Sequence, residues 1–194
     1  MISAISKKAV KWLLHSGAIS QEDTELFEFA SYSLLFSLSP LVLVVVIGAI
    51  LGMTREGVIM ILPFLTIRKF GGGFHLNSPT KCFAFSIILL AGWLLLTKFI
   101  VANGYFFSFS ILVSLASIQI FLCSPIDSKA RRLTERERRM FGKIARIILL
   151  VFIALYSTCC LFSYFNFAAF LGSGIILAGL LQIPCFFESS VRND

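Results

Sequence analysis

A histidine and a cysteine lie seven residues apart in a polar interruption of an otherwise apolar chain. His75 and Cys82 belong to the stretch 68–82, which reads Arg-Lys-Phe-Gly-Gly-Gly-Phe-His-Leu-Asn-Ser-Pro-Thr-Lys-Cys. A thiol becomes a nucleophile when its thiolate is stabilised and a base takes its proton. An imidazole, whose ordinary pKa is about 6.5, can act as that base and then as an acid. This pair is therefore a candidate for acyl transfer.

The residues just before the cysteine have the pattern of a helix start. Ser78 suits the N-cap and Pro79 suits the first helical position, so Cys82 is expected in the first turn of a helix. Unpaired N–H groups and the positive end of the helix dipole favour the thiolate form there, and Lys81 adds a nearby charge. The pattern predicts a nucleophile at this position.

Three consecutive glycines, Gly71, Gly72 and Gly73, precede the histidine. They remove side-chain bulk and permit positive φ, so the loop could turn tightly or a substrate backbone could lie close to it. Their N–H groups could also form an oxyanion hole. The glycines are therefore expected to support or position the reacting groups.

The same residues allow other interpretations. A glycine-rich loop between helices, with a histidine at the interface and a cysteine at a helix start, can arise without any chemistry, because one Cys and one His at this spacing are a modest signal. A zinc site is weaker still, since His75 and Cys82 are two ligands where three or four are needed. We expect no metal and no cofactor.

The composition predicts an integral membrane protein. Of 194 residues, 58% are hydrophobic and only 14% are charged, and the mean hydropathy is +0.92. The net charge of +7 would suggest a nucleic-acid partner in a soluble protein, but here the positions of the charges matter more than their sum, and no nucleic acid is expected. The five cysteines are odd in number and lie in or beside apolar runs, so reduced thiols are expected.

The hydropathy pattern predicts an all-α, polytopic helical bundle that forms one integral membrane domain over 1–194. An amphipathic helix at the membrane interface comes first, followed by about six membrane segments and a basic cytoplasmic loop. The expected bounds are 2–16 for the amphipathic helix, 27–53, 57–67, 82–100, 105–123, 144–165 and 167–187 for the membrane segments, and 124–143 for the basic loop.

Two of these segments have features of their own. Segment 57–67 is broken by Pro63 and reaches only about 17 Å, so it must thin the bilayer, recruit its flanks or be buried in protein. Segment 167–187 spaces Ala168 with Gly172 and Gly174 with Ala178, a pattern that permits helix contact or a homodimer.

Charge placement predicts the topology. If the N-terminus is cytoplasmic and all six segments cross, 15 of the 17 Lys and Arg residues are cytoplasmic, and only Arg55 and Lys98 lie outside. This distribution obeys the positive-inside rule. The stretch 68–82 and both termini then face the cytoplasm, provided that 57–67 crosses.

The pattern Arg-x4-Gly-x-His-x6-Cys, formed by Arg68, Gly73, His75 and Cys82, lies in a multispanning chain whose basic loop opens with Ser124-Pro125. It resembles the accessory gene regulator protein B family, AgrB. In segment layout the resemblance covers nearly the whole chain.

The resemblance implies a membrane cysteine endopeptidase of bacterial quorum sensing. Members of this family cut the C-terminal tail from a short pheromone precursor, AgrD, and help to turn the remainder into a thiolactone or lactone autoinducer. Carried over to this chain, Cys82 is the nucleophile, His75 is the base, and Arg68 and Gly73 are supporting positions. Glu28 or Asp127 is a guess for a group that orients the histidine. The implied location is the bacterial cell membrane, and a homodimer is suggested.

The precursors of this family have an amphipathic start and an acidic tail, which would suit the membrane site and the basic loop. The candidate tail-binding residues are Lys129, Arg131, Arg132, Arg136, Arg138 and Arg139. The same charges also serve as an orientation signal and as an anchor to membrane lipids, and the two roles are compatible.

Two functions of other classes remain open. The break at Pro63 and the serine face formed by Ser110, Ser114 and Ser117 fit a small peptide transporter or export module, although such serines also suit close helix packing. A non-catalytic membrane scaffold or sensor is the second alternative.

Overall fold

The computed structural model describes residues 2–74, 78–126 and 133–185, and these residues fold almost entirely into α-helices. Within them the helices are α1 (Ile2–His15), α2 (Thr24–Leu51), α3 (Thr54–Gly71), α4 (Pro79–Ala102), α5 (Phe106–Cys123), α6 (Glu135–Leu161) and α7 (Phe165–Leu180). In the described part of the chain, five regions, α2 and α4 to α7, are long and apolar enough to cross a membrane. The predicted fold class, a polytopic helical membrane bundle, is confirmed.

The contacts divide the chain within α2 into two units, Met1–Leu43 and Val44–Asp194. In the first unit, α1 carries exposed Lys7, Lys8 and Lys11, and its Trp12 is 69% exposed. Its position at the membrane interface stays a prediction, as does the single membrane domain over 1–194. The second unit contains the rest of the chain, including most of the candidate site.

Helix α7 forms the centre of the second unit. It contacts α3, α4, α5 and α6, and 78% of its apolar window is buried inside the protein, against 17% for α4 and α6 and 28% for α5. Small residues allow this close packing. A Cβ atom on Gly174 would overlap the carbonyl oxygen of Met60 in α3, and one on Gly172 would lie 2.7 Å from Val113 Cγ2 in α5. The small-residue spacing thus serves helix contact within the chain, while the homodimer stays a prediction.

Helix α3 settles how the short segment is accommodated. The predicted apolar run 57–67 is part of one 18-residue helix that continues through Pro63, and at about 27 Å this helix is nearly long enough to span. Charged residues near both ends keep it outside the candidate spans, whereas Met60, Ile61 and Ile67 are fully buried. The segment therefore recruits its flanks and packs inside the protein.

Helix α6 begins at Glu135 rather than at residue 144, so the later part of the predicted basic loop is helical. A capping box causes this early start: Glu137 N–H donates to Thr134 Oγ1 over 3.3 Å, and Thr134 N–H donates to Glu137 Oε2 over 2.9 Å. Arg136, Arg138 and Arg139 consequently lie on a helix instead of in a loop. The Thr-x-x-Glu signal was present in the sequence and could have predicted this start.

Three helix ends meet at one end of the second unit. Ile126 N–H, just after α5, donates to the carbonyl of Gly71 at the end of α3 over 3.0 Å. Phe74 N–H donates to the carbonyl of Leu181 at the end of α7 over 2.8 Å. The stretch 68–74 and the start of the segment after α5 therefore lie on the same side of the bundle, as the charge count requires. That this side faces the cytoplasm stays a prediction.

Candidate active site

The glycine loop, residues 71–74, is bonded to two other segments of the second unit. The Gly71 carbonyl accepts hydrogen bonds from Ile126 N–H over 3.0 Å and from Gln182 Nε2 over 3.2 Å. Gln182 Nε2 also donates to Ser124 Oγ over 2.9 Å. The loop is thus connected both to the residues after α5 and to the end of α7.

Gly72 is the glycine of this loop at which an added side chain would meet backbone rather than the end of another side chain. It is the C-cap of α3 with φ of 78°, and a Cβ atom there would overlap the carbonyl oxygen of Ile126. Its N–H donates to the Arg68 carbonyl over 3.1 Å, so this donor closes the helix instead of pointing toward a substrate. The requirement for glycine at position 72 is therefore a tight turn.

Arg68 links the end of α3 to the last described residue before the histidine. Its Nη2 donates to the carbonyl oxygen of Phe74, and its Cζ lies 5.5 Å from the centre of the Phe64 ring. A Cβ atom on Gly73 would lie 3.6 Å from Arg68 Cγ, in ordinary van der Waals contact. Because Leu181 holds the N–H of Phe74 and Arg68 holds its carbonyl, the peptide that leads into position 75 is tied on both sides.

The same guanidinium lies within electrostatic range of two thiols. Burial lowers the pKa of Arg68, and interaction with Cys82 and Cys185 opposes that shift. Arginine remains protonated in proteins, so Arg68 brings a positive charge near both sulfur atoms. Cys82 is half-buried and Cys185 is buried.

Cys82 is the fourth residue of α4, and the helix begins where the sequence predicted. Ser78 occupies the N-cap with extended backbone angles, Pro79 is the first helical residue, and Cys82 N–H donates to the Ser78 carbonyl over 2.9 Å. The start differs in one detail, because in the described part of the chain the Ser78 side chain makes no capping hydrogen bond.

Several predicted site residues cannot be placed beside this geometry. His75, Asp127, Lys129, Arg131 and Arg132 lie outside the described residues. Glu28 belongs to α2 in the first unit, and its suggested role in orienting the histidine stays a prediction. The structure thus brings together Arg68, Gly72 and Gly73, with Cys82 within electrostatic range of Arg68, and the contact between Cys82 and His75 stays a prediction.

A basic groove runs between the end of α5 and the first turns of α6, with a volume of about 380 Å³. Its cationic lining residues are Arg138, Arg139, Lys143 and Arg146, and residues 122–125 form the opposite wall. Arg146 Nε donates to the Phe121 carbonyl over 3.1 Å, which ties the two walls together. Two predicted tail-binding residues, Arg138 and Arg139, line the groove, whereas Arg136 lines a neighbouring cavity.

Four residues of this region were not among the predicted site residues: Ser124, Lys143, Arg146 and Gln182. Arg139, Lys143 and Arg146 are spaced three and four apart, which places them on one helical face once α6 is known to begin at Glu135. Gln182 is a polar residue in an apolar segment, a signal of function in membrane proteins that was available.

No metal site stands beside these residues in the described ranges, where no three His, Cys, Asp or Glu side chains come together as ligands would. The expectation that neither a metal nor a cofactor takes part stays a prediction.

Comparison with known proteins identifies the family. The chain matches Accessory gene regulator B over residues 6–186. It is 28% identical to AgrB-like protein 1 of Clostridium perfringens strain 13 (Type A) over 141 residues, which cover 73% of this chain and 74% of the relative. It is 23% identical to the AgrB-like protein of C. perfringens strain SM101 (Type A) over 195 residues, covering 94% and 88%. No solved structure gives a significant match. The resemblance is therefore confirmed: the chain belongs to the Accessory gene regulator B family, and this membership supports a role in the accessory gene regulator system.

Proposed function

We propose that this protein is a membrane-embedded cysteine endopeptidase that cleaves an AgrD-like precursor and promotes cyclisation of the remaining peptide. One observation carries the proposal: Arg68 binds the Phe74 carbonyl, next to His75, and its charge lies within electrostatic range of Cys82. A single side chain thus links the backbone that leads to the base with the helix that carries the nucleophile.

In the first step His75 accepts the thiol proton as the sulfur of Cys82 attacks the scissile carbonyl carbon. The tetrahedral intermediate collapses, the C–N bond breaks, and His75 returns the proton to the amine of the departing tail. The peptide that remains is bound to Cys82 as a thioester. Arg68 holds the Phe74 peptide in place through both events and contributes positive charge near the sulfur.

In the second step a thiol within the bound peptide attacks the thioester carbonyl. The attacking thiol gives its proton to His75, and the bond between the acyl carbon and the Cys82 sulfur breaks as the new thioester closes the ring. Cys82 then takes up the proton from His75. A peptide hydroxyl in the same role would give a lactone. Hydrolysis competes with this step, so a site at the membrane that limits access of water favours cyclisation.

The basic groove is the proposed docking site for the acidic tail of the precursor. Arg138, Arg139 and Lys143 face a carboxylate-rich segment with complementary charge, and the groove wall contains Ser124, which is bonded through Gln182 to the glycine loop. We further propose that this end of the bundle faces the cytoplasm, since it carries most of the basic residues that the structure describes in the second unit.

The decisive experiment uses the purified full-length chain in liposomes with a synthetic precursor that has an amphipathic start, an internal cysteine and an acidic tail. The wild type should release the tail without an added protease. Cys82→Ala and His75→Ala should insert normally and release none. Passage of the intact peptide into the liposomes without cleavage would instead establish the transporter function.

The features that first suggested transport have another explanation. Helix α3 continues through Pro63 without a break, and Pro63 is among its buried residues. The serine hydroxyls of α5 bond to its own backbone, with Ser114 and Ser117 donating four residues back, and Ser110 also bonds to Tyr156 of α6 over 2.8 Å. Ser114 and Ser117 therefore bond within α5, whereas Ser110 joins α5 to α6, as the packing interpretation predicted.

A further inference from the structure

We propose that Gln182 is a positioning residue for the reaction, and that its side-chain amide holds the glycine loop at the distance from Ser124 that the active arrangement requires. The inference rests on the proposed function and extends it to a residue of α7's C-terminal end. It is carried by three hydrogen bonds that join the end of α7 to the glycine loop and to Ser124.

Gln182 bridges two segments that are distant in the sequence. Its Nε2 donates both to the Gly71 carbonyl over 3.2 Å and to Ser124 Oγ over 2.9 Å, and the residue is 0% exposed. A backbone carbonyl can only accept hydrogen bonds, so the amide nitrogen must face Gly71. A Cβ atom at Gly71 would lie 2.9 Å from this nitrogen, so the absence of a side chain at Gly71 allows the amide to approach this closely.

Gln182 and its neighbour Leu181 hold the glycine loop against the end of α7. Leu181 accepts from Phe74 N–H over 2.8 Å, so two successive residues at the end of α7 hold the first and last residues of the glycine loop. Phe74 is also the residue that Arg68 binds. A shift at position 182 would therefore move the peptide that leads to the proposed base.

The cost of this arrangement indicates a purpose beyond packing. Gln182 Oε1 is buried and has no donor among the described residues. A buried polar atom without a partner destabilises a fold, and an apolar side chain of the same volume would avoid that cost. Simple filling of the core does not require an amide here.

Gln119 provides a matched control. It lies on α5, and its Nε2 donates to the Gly179 carbonyl of α7 over 2.9 Å. Gln119→Met and Gln182→Met thus each remove one amide that joins the C-terminal end of α7 to another segment, but only the second removes a bond to the glycine loop.

The test measures tail release from the synthetic precursor by full-length protein in liposomes, together with alkylation of Cys82 by iodoacetamide, read by peptide mass spectrometry. Gln182→Met should lower kcat by about tenfold or more with KM within about twofold, and should slow Cys82 alkylation near neutral pH. Gln119→Met should stay within about twofold of wild type in all three. Equal loss of kcat in both variants, or none in Gln182→Met, overturns the inference.

Gln182→Glu separates positioning from volume. Burial raises the pKa of a carboxyl group, so the acid form, which regains one donor toward Gly71 or Ser124, dominates at lower pH and is lost as pH rises. The kcat of this variant relative to wild type should therefore increase between about pH 8 and about pH 6. A ratio that does not change with pH overturns the positioning role. If the wild type itself releases no tail, the proposed function fails and the inference fails with it. If the wild type releases the tail and Gln182→Met releases it equally well, only the inference fails.

Discussion

The two halves of the candidate site are held in different ways. The glycine loop receives hydrogen bonds from Ile126 and Gln182 at one end and is tied to Leu181 and Arg68 at the other. The described hydrogen bonds of Cys82 are local instead: its N–H donates to Ser78, and its carbonyl accepts from Ser86 Oγ over 2.9 Å. The side that leads to the histidine thus depends on tertiary contacts, whereas the cysteine depends on the start of its own helix.

The glycine loop and the helix that carries Cys82 also differ in burial. Gly71 and Gly73 are buried among the ends of α5 and α7. Helix α4, by contrast, exposes Phe83, Phe85 and Ile88, as expected for a helix that faces lipid. On the proposed function, a peripheral helix carries the nucleophile, and the loop that leads to the base is held in the buried core. Substitutions in the glycine loop and substitutions at Cys82 should therefore impair the protein in ways that experiments can distinguish.

The largest effect is expected at the nucleophile, where two thiols lie near one arginine. Cys82→Ala should reduce tail release by more than about a thousandfold, because no group replaces the attacking sulfur. Cys185→Ala should keep most of the activity, since this thiol is buried, whereas the Cys82 thiol is only half-buried. The rate of tail release by the two variants shows which cysteine is the nucleophile. Retention of activity by Cys82→Ala would remove the catalytic assignment.

The second-largest effect is expected in the glycine loop, at Gly72. Gly72→Ala forces a Cβ atom onto the Ile126 carbonyl at a residue with φ of 78°, and the positive φ alone costs about 1 to 2 kcal/mol. We expect activity to fall by at least about tenfold and thermal stability in detergent to fall with it. Gly92→Ala in α4 is the control, because a Cβ atom there meets nothing within 4 Å. If both variants behave alike, the loop does not need its tight turn.

Arg68 connects the two sides, so its loss should give an intermediate defect. Arg68→Met removes the bond to the Phe74 carbonyl and the charge near the thiols, and kcat should fall by about ten- to a hundredfold. Arg68→Lys keeps the charge and should recover part of that loss. Lys69→Met, which changes an exposed neighbour, should have little effect. Equal activity in the Lys and Met variants would show that charge plays no part.

The smallest effect is expected in the basic groove, away from both halves. Arg139→Gln with Lys143→Gln should raise KM by a few fold with kcat unchanged, because exposed charges contribute modestly to binding. The difference from wild type should shrink at high salt. Lys98→Gln, which removes a charge near the other end of α4, is the control. An unchanged KM would assign these residues to lipid contact and orientation alone.

Local signals predicted much of the fold. The helix start at Ser78-Pro79 and the use of small residues in α7 were correct, because each depends on neighbours within a turn or two. The extent of α3 and the start of α6 were harder to predict. Arg68 and Lys69 look like the start of a loop in the sequence, but the buried packing of α3 extends the helix through them.

The sequence alone determined that this is a helical membrane protein with a thiol at a helix start and the pattern Arg-x4-Gly-x-His-x6-Cys. Only the tertiary structure decided what Arg68 and the glycines do. Gln182 meets Gly71 across 111 positions of chain, and Trp93 donates to the Ser173 carbonyl across 80. Such bonds depend on which helices pack together, and this packing places α7 at the centre although its composition resembles that of its neighbours. Spacing along the chain can place a cysteine at a helix start, but only helix packing can bring an amide to a loop.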